Sequence, residues 1–133
     1  MSTSGSLVRV TLAASTSAGF SVDGAYIGHQ AVSGDPYDFD GGQVQIKVGG
    51  AASFSTGAGG TVLSDAISFA LDHTKNLIVA IHYTGTSAIG GTGLAGAANY
   101  YKVAADETSV SDVSAMNLDG SGVVRAVTKI EVS

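Results

Sequence analysis

The chain has 133 residues, 44% of them hydrophobic and 13% charged, so one domain with a full apolar core fits and little room is left for a second. A net charge of −5, with only six Lys and Arg scattered along the chain, argues against nucleic acid and against anionic membrane surfaces, since both require concentrated positive charge. There is no cysteine, which excludes disulfides, thiolate metal sites and cysteine nucleophiles.

In chain order, Met1 to Gly5 lacks the basic and apolar regions of a secretory signal and is expected to be a flexible or partner-bound arm. Val8, Val10 and Leu12 then alternate with Arg9 and Thr11, the period-two pattern of a half-buried strand. Ala25 to Ile27 reads as a short strand. Val44, Ile46 and Val48 alternate with Gln43, Gln45 and Lys47, and Ile67, Phe69 and Leu71 alternate with Ser68 and Ala70. Leu77 to Tyr83 is apolar on both faces and is expected to be a central strand buried on both sides. Gly85 to Ala98 reads as a long loop of small residues, and Tyr100 to Val103 as another short strand. Ser109 to Met116 is the best helical candidate, but its β-branched valines favour no more than one capped turn. Val124, Ala126, Thr128, Ile130 and Val132 form the apolar face of a closing strand, with Arg125, Lys129 and Glu131 opposite. No apolar run approaches the roughly 20 residues of a membrane span. About eight short strands punctuated by 19 glycines predict an all-β fold, an antiparallel β-sandwich of jelly-roll type filling residues 1–133 as one domain.

Several motifs invite chemistry. Gly91-Thr92-Gly93-Leu94-Ala95-Gly96 fits G-x-G-x-x-G, but a strand follows it where a dinucleotide site needs a helix, so it reads as a flexible loop. Asp35, Asp38 and Asp40 crowd one turn, as a calcium loop would. Their spacing is not that of an EF-hand, and the plainer reading has Asp38 and Asp40 bonding their own backbone. His82 lies within the most apolar strand, where a packed, hydrogen-bonded structural role is the plain reading and ligand contact the sharper one. His29 and His73 fall in predicted turns, and nothing gathers the three histidines into a zinc site. No G-x-S-x-G elbow exposes a serine, so Ser, His and Asp carry no hydrolytic reading. Tyrosines supply five of the nine aromatics. An exposed one can stack on the apolar face of a pyranose while its hydroxyl bonds the sugar edge. Tyr37, His82, Tyr100 and Tyr101 are therefore the candidate glycan contacts. Tyr100 and Tyr101 are adjacent on a strand and point to opposite faces, so at most one of them is exposed.

The order of segments resembles the β-sandwich module, similar to a carbohydrate-binding jelly roll, that precedes the catalytic domain in some SGNH/GDSL-type hydrolases. The matching pieces are Val8 to Leu12, Val22-Asp23-Gly24-Ala25-Tyr26-Ile27-Gly28, Gly60 to Ile67 around Ser64-Asp65, Asn76 to Tyr83, Asn99 to Tyr101, and Lys129 to Val132. The resemblance implies the jelly-roll fold and glycan affinity. It carries over no catalytic residue: the hydrolase half is absent, and Gly34-Asp35 runs into Pro36 where the family nucleophile block has serine.

These readings converge on a non-catalytic phage or virion structural or accessory protein, such as a capsid decoration, fibre or tail component. It would need no cofactor or metal, would be made in a host cytoplasm and would reside in the particle. Its partners would be other virion proteins, copies of itself and, on one face, a host surface polysaccharide. The charged share is about half of that usual in soluble domains, which fits a surface covered in an assembly. A free carbohydrate-binding module, or an accessory domain of a larger hydrolase, is the alternative.

Overall fold

The computed structural model describes residues 7–72, 74–84, 91–93, 99–101, 108, 117–119, 123–125 and 127–132. Among them are twelve strands and no helix: β1 (Leu7–Ala13), β2 (Phe20–His29), β3 (Val44–Gln45), β4 (Phe54–Thr56), β5 (Thr61–Leu63), β6 (Ile67–Ser68), β7 (Leu77–Tyr83), β8 (Gly91–Gly93), β9 (Asn99–Tyr101), β10 (Asn117–Asp119), β11 (Val123–Arg125) and β12 (Val127–Val132). The fold is an all-β sandwich of two four-stranded antiparallel sheets, built alike, with β8–β11 and β9–β10 as separate antiparallel pairs. In the first, β1 pairs with β12 on one side and with β5 and β6 on the other; in the second, β2 pairs with β7 on one side and with β3 and β4 on the other. In each sheet the C-terminal half of the central strand takes the earlier short strand and its N-terminal half the later one.

The inward faces make one core. Val8, Val10, Leu12, Val62 and Ile67 from the first sheet meet Phe20, Val22, Ala25 and Ile27 from the second, with Ile46 and Phe69 alongside. Leu12, Ile27, Ile46, Val8 and Val10 are the largest fully buried side chains, each contributing about 1.5–3 kcal/mol on removal from water. Tyr83 joins from β7, its ring meeting Phe20 edge-to-face at 6.1 Å.

Three register shifts keep apolar side chains on this core. In β2 the pairing passes from Val22↔Tyr83 to Gly24↔His82, leaving Asp23 as the extra residue; Val22 and Ala25 both face inward. In β12 it passes from Thr11↔Lys129 to Leu12↔Val127, leaving Thr128 extra, so Val127 and Ile130 both reach the core. Between β5 and β6, Leu63 pairs with Thr11 and Ile67 with Val8, so four steps face three, and Asp65 is displaced from the ladder. A bulge flips the face of every residue beyond it.

The displaced Asp65 closes one side of the sandwich. Its N–H donates to the Lys47 carbonyl at 2.8 Å, and its two carboxylate oxygens accept the Gly49 and Gly50 N–H groups at 2.9 and 2.7 Å. Gly49 and Gly50 have φ of 59° and 81°, left-handed conformations that present successive N–H groups to one anion. The preceding Ser64 is buried and repairs the first sheet where the ladder breaks: its N–H donates to the Val10 carbonyl, and its Oγ accepts the Val10 N–H at 2.9 Å. The second sheet is bridged similarly by the Ile46 N–H on the Ala25 carbonyl.

The structure corrects several sequence expectations. The short strand at Ala25–Ile27 is the middle of the ten-residue β2. Ile46, Val48, Phe69 and Leu71 keep their core positions, but only Val44–Gln45 and Ile67–Ser68 are strand, because the chain leaves the ladder to make the seam at Asp65. Instead of being buried on both faces, β7 is half-buried at every residue, and among the described residues it pairs with β2 alone. The loop predicted over Gly85–Ala98 contains β8, so Gly91-Thr92-Gly93 is strand paired with β11. The single apolar face predicted from Val124 to Val132 is interrupted by the Thr128 shift. Met1 to Gly5 and the helical candidate Ser109–Met116 lie outside the described residues.

Two outcomes follow. Ser64→Ala leaves the Val10 N–H without its buried acceptor and should lower unfolding free energy by about 1–3 kcal/mol, read by urea denaturation; a change within error would remove Ser64 from the ladder. Burial pushes the Tyr83 phenol well above its ordinary value of 10.0. The folded state thus holds this proton more tightly than the unfolded chain, so its contribution is intact below about pH 10 and lost as pH rises further. Wild type should lose up to about 1.4 kcal/mol per pH unit there that Tyr83→Phe does not, measured as unfolding free energy at pH 9 and pH 11.

Candidate functional site

The outer face of the second sheet carries the described polar constellation of most chemical interest. Its origin is the bulge in β2. An acid followed by glycine within an apolar strand pattern is a local bulge signal. Here the extra residue, Asp23, is turned outward beside His82 of β7. Asp23 Oδ1 and His82 Nδ1 form a hydrogen-bonded pair, with side chains 42% and 25% exposed. Held through Nδ1, the imidazole turns its Nε2 edge away from the carboxylate, and Asp23 fixes the ring's orientation. Thus His82 is neither packed in a buried strand nor isolated; it is half of an outward pair.

Tyr26 lies on the same face. It pairs with Ala80 on one side and Gln45 on the other, while the next outward pair along β7 is Gly24↔His82. Tyr26 and His82 are therefore diagonal neighbours, about 7 Å apart at their Cβ atoms, with the small Ala80 between them. Ser21 and Ser55, paired across β2 and β4, continue the outward face beyond Asp23. The set offers one ring face, a carboxylate, an imidazole and hydroxyls on a shallow strand surface. Such a set donates and accepts hydrogen bonds and stacks on an apolar ring face.

At the other end of β2 the same face is covered by the loop of residues 30–43. Phe39 is buried there, outside the main core, and packs on Gly28: a Cβ at Gly28 would fall 2.6 Å from its ring. The acids of this loop hold its own backbone. Asp38 Oδ2 accepts the Asp35 N–H at 2.9 Å, while the Asp38 N–H donates to the Asp35 carbonyl at 3.0 Å. Asp40 Oδ1 accepts the Gly42 N–H, and Oδ2 lies 3.5 Å from Lys75 Nζ. Gln30 ties the loop down, donating from Nε2 to the Pro36 carbonyl and accepting at Oε1 from Asn76 Nδ2. Asp38 and Asp40 thus act as turn-formers, and Asp35 takes part through its backbone. Among the described residues no three His, Asp or Glu side chains group as metal ligands.

His29 is the last residue of β2 and not a turn residue. It is buried, its ring is 4.8 Å from that of Phe69, and its Nε2 accepts the Asp72 N–H at 3.0 Å. The Asp72 carboxyl is held below its ordinary range by the Thr74 hydroxyl and then by the Thr74 N–H.

The candidate contacts are not all brought together. Tyr37 is half-buried in the 30–43 loop, which bonds to the Gln30 end of β2. His82 is paired at Gly24, six residues back from Gln30, roughly 20 Å away at a strand's rise. The backbones of Tyr100 and Tyr101 lie on β9, opposite Leu118 and Asn117, and their side chains are outside the described residues, as is His73. Asp23 and Tyr26 were not among the sequence-derived contacts. The Val22-Asp23-Gly24 step was the available signal for the first, while a tyrosine inside a strand gave none for the second. No family profile and no curated protein matches the chain.

An outward pair this exposed contributes little to folding. Asp23→Ala, His82→Ala and their double variant should give a coupling free energy below about 1 kcal/mol in a double-mutant cycle. A coupling of several kcal/mol would make the pair part of the scaffold.

Proposed function

We propose that the chain is a non-catalytic structural or accessory protein of a virion, residing in the particle, that presents a carbohydrate-binding face. Its jelly-roll connectivity and glycan affinity are those implied by the resemblance to the hydrolase-associated module. The observation that carries the reading is the Asp23–His82 pair beside Tyr26, all directed outward from one sheet. A carboxylate and an oriented imidazole suit the paired hydroxyls of a sugar edge, and the phenol ring suits its apolar face. The absence of a nucleophile elbow in the sequence supports a non-catalytic role. The low charged share, with large apolar side chains exposed at Leu7, Val32 and Leu63, supports contact with other virion proteins and with copies of the chain. Tyr37, Tyr100 and Tyr101 remain secondary candidates for sugar contact.

Affinity electrophoresis and glycan arrays test the face. The folded wild-type chain should be retarded by at least one polysaccharide, and Tyr26→Ala or His82→Ala should weaken retention about tenfold, equivalent to about 1.4 kcal/mol, with melting temperature unchanged. Retention by no glycan would remove the carbohydrate half. Co-sedimentation with particles tests the other half separately; binding to glycan without particle association would favour a free carbohydrate-binding module.

A further inference from the structure

The outer face of the first sheet carries a second surface, and the geometry points to a second copy of this chain as its occupant. This deepens the structural-protein reading and rests on that reading for its purpose, although the surface can be tested by itself. Its residues fall in three columns. On β12 stand Glu131 and Lys129, 48% and 63% exposed and 3.3 Å apart at their charged atoms. On β1 stand Leu7, Arg9, Thr11 and Ala13, with Arg9 opposite Glu131 and Thr11 opposite Lys129. On the β5–β6 side stand Thr61, opposite Ala13, Leu63, opposite Thr11, Ala66, which the register places beside Arg9, and Ser68, opposite Leu7. Leu7 and Leu63 are 45% and 47% exposed.

This grid is complementary to itself. A two-fold axis lying in the face and crossing β1 between Arg9 and Thr11 exchanges those two rows while keeping each column on itself. Glu131 of one copy then meets Lys129 of the other, twice. Leu63 meets Ala66, and Leu7 meets Ala13. Like charges do not oppose one another, the apolar middle of the third column covers itself, and Thr61 meets Ser68 at its ends. The alternative axis, along β1, would set Lys129 and Glu131 on Leu63 and Ala66 and strand the charges. An isologous contact with antiparallel central strands is therefore the arrangement this face fits.

Its size sets its strength. Three strands about 4.8 Å apart and about 20 Å of β1 give roughly 300 Å² per copy, against about 800 Å² in a standard stable interface. The contact is thus weak between free chains and effective where many copies are held close together.

Sedimentation equilibrium of the whole chain, from micromolar to millimolar, tests this. Wild type should associate reversibly to dimers, less so at high salt. Lys129→Glu and Glu131→Lys, each alone, should weaken association at least tenfold by opposing like charges. An equimolar mixture of the two should recover it, because two carboxylates on one chain then face two ammonium groups on the other. That recovery would not follow if the charges only stabilised their own chain. Leu63→Asp, at an exposed position, should also abolish association. A wild type monomeric throughout would overturn the inference. So would association indifferent to all three variants, or a mixture that does not recover; in those two cases the structural-protein reading would stand through some other surface.

Discussion

The sandwich depends on one displaced residue. Where the chain passes from β5 to β6 it must leave the first sheet's ladder, and the register gives it one residue too many. That residue, Asp65, reaches the second sheet's side of the molecule and holds the Lys47–Gly50 turn by three hydrogen bonds. Ser64 meanwhile supplies the first sheet with the acceptor that the break removes. The two sheets are joined along this side by directional bonds, while the core between them is held by non-directional burial. Burial alone would tolerate sliding of one sheet over the other; the carboxylate clamp on two left-handed glycines fixes their relative position.

The same device, used outward, makes the candidate site. Both Asp23 and Asp65 are extra residues in a strand pairing, and in both cases the bulge frees a carboxylate from the alternation of the sheet. Asp65 turns toward the rest of the protein and becomes structural. Asp23 turns to the outer face, where its partner is a histidine that remains partly open to solvent. The difference in role comes from which side of the sheet the bulge addresses, and not from the chemistry of the residue.

The two outer faces differ in what covers them. Half of the second sheet's face lies beneath the 30–43 loop, fixed by Phe39 on Gly28 and by acids bonded to their own turn; the other half presents Asp23, Tyr26 and His82. The first sheet's face presents alternating charges beside exposed leucines. Arg9, Lys129 and Glu131 share that face, with Arg9 paired opposite Glu131 and Lys129 beside it.

The sequence by itself determined the all-β class, the strand character of β1, the position of β7 and the core places of Val8, Val10, Leu12, Ile46, Ile67 and Phe69, because side-chain alternation over several residues is a local property of an extended chain. It offered the backbone-bonding turn of Asp38 and Asp40 as the plainer of two readings, since Asx bonding reaches only a few residues, and the structure shows those bonds. It did not reveal the partnership of Asp23 with His82, 59 positions apart, or of Asp65 with Gly49 and Gly50. Nor did it reveal the burial of His29 or the covering of Gly28 by Phe39. Each of these depends on which strands pair and in what register, and a one-residue bulge reverses every face beyond it without altering the local pattern that precedes it. Alternation specifies that a strand has an inside; only the assembled sheets decide which residues that inside contains, and so which side chains are left to meet a ligand.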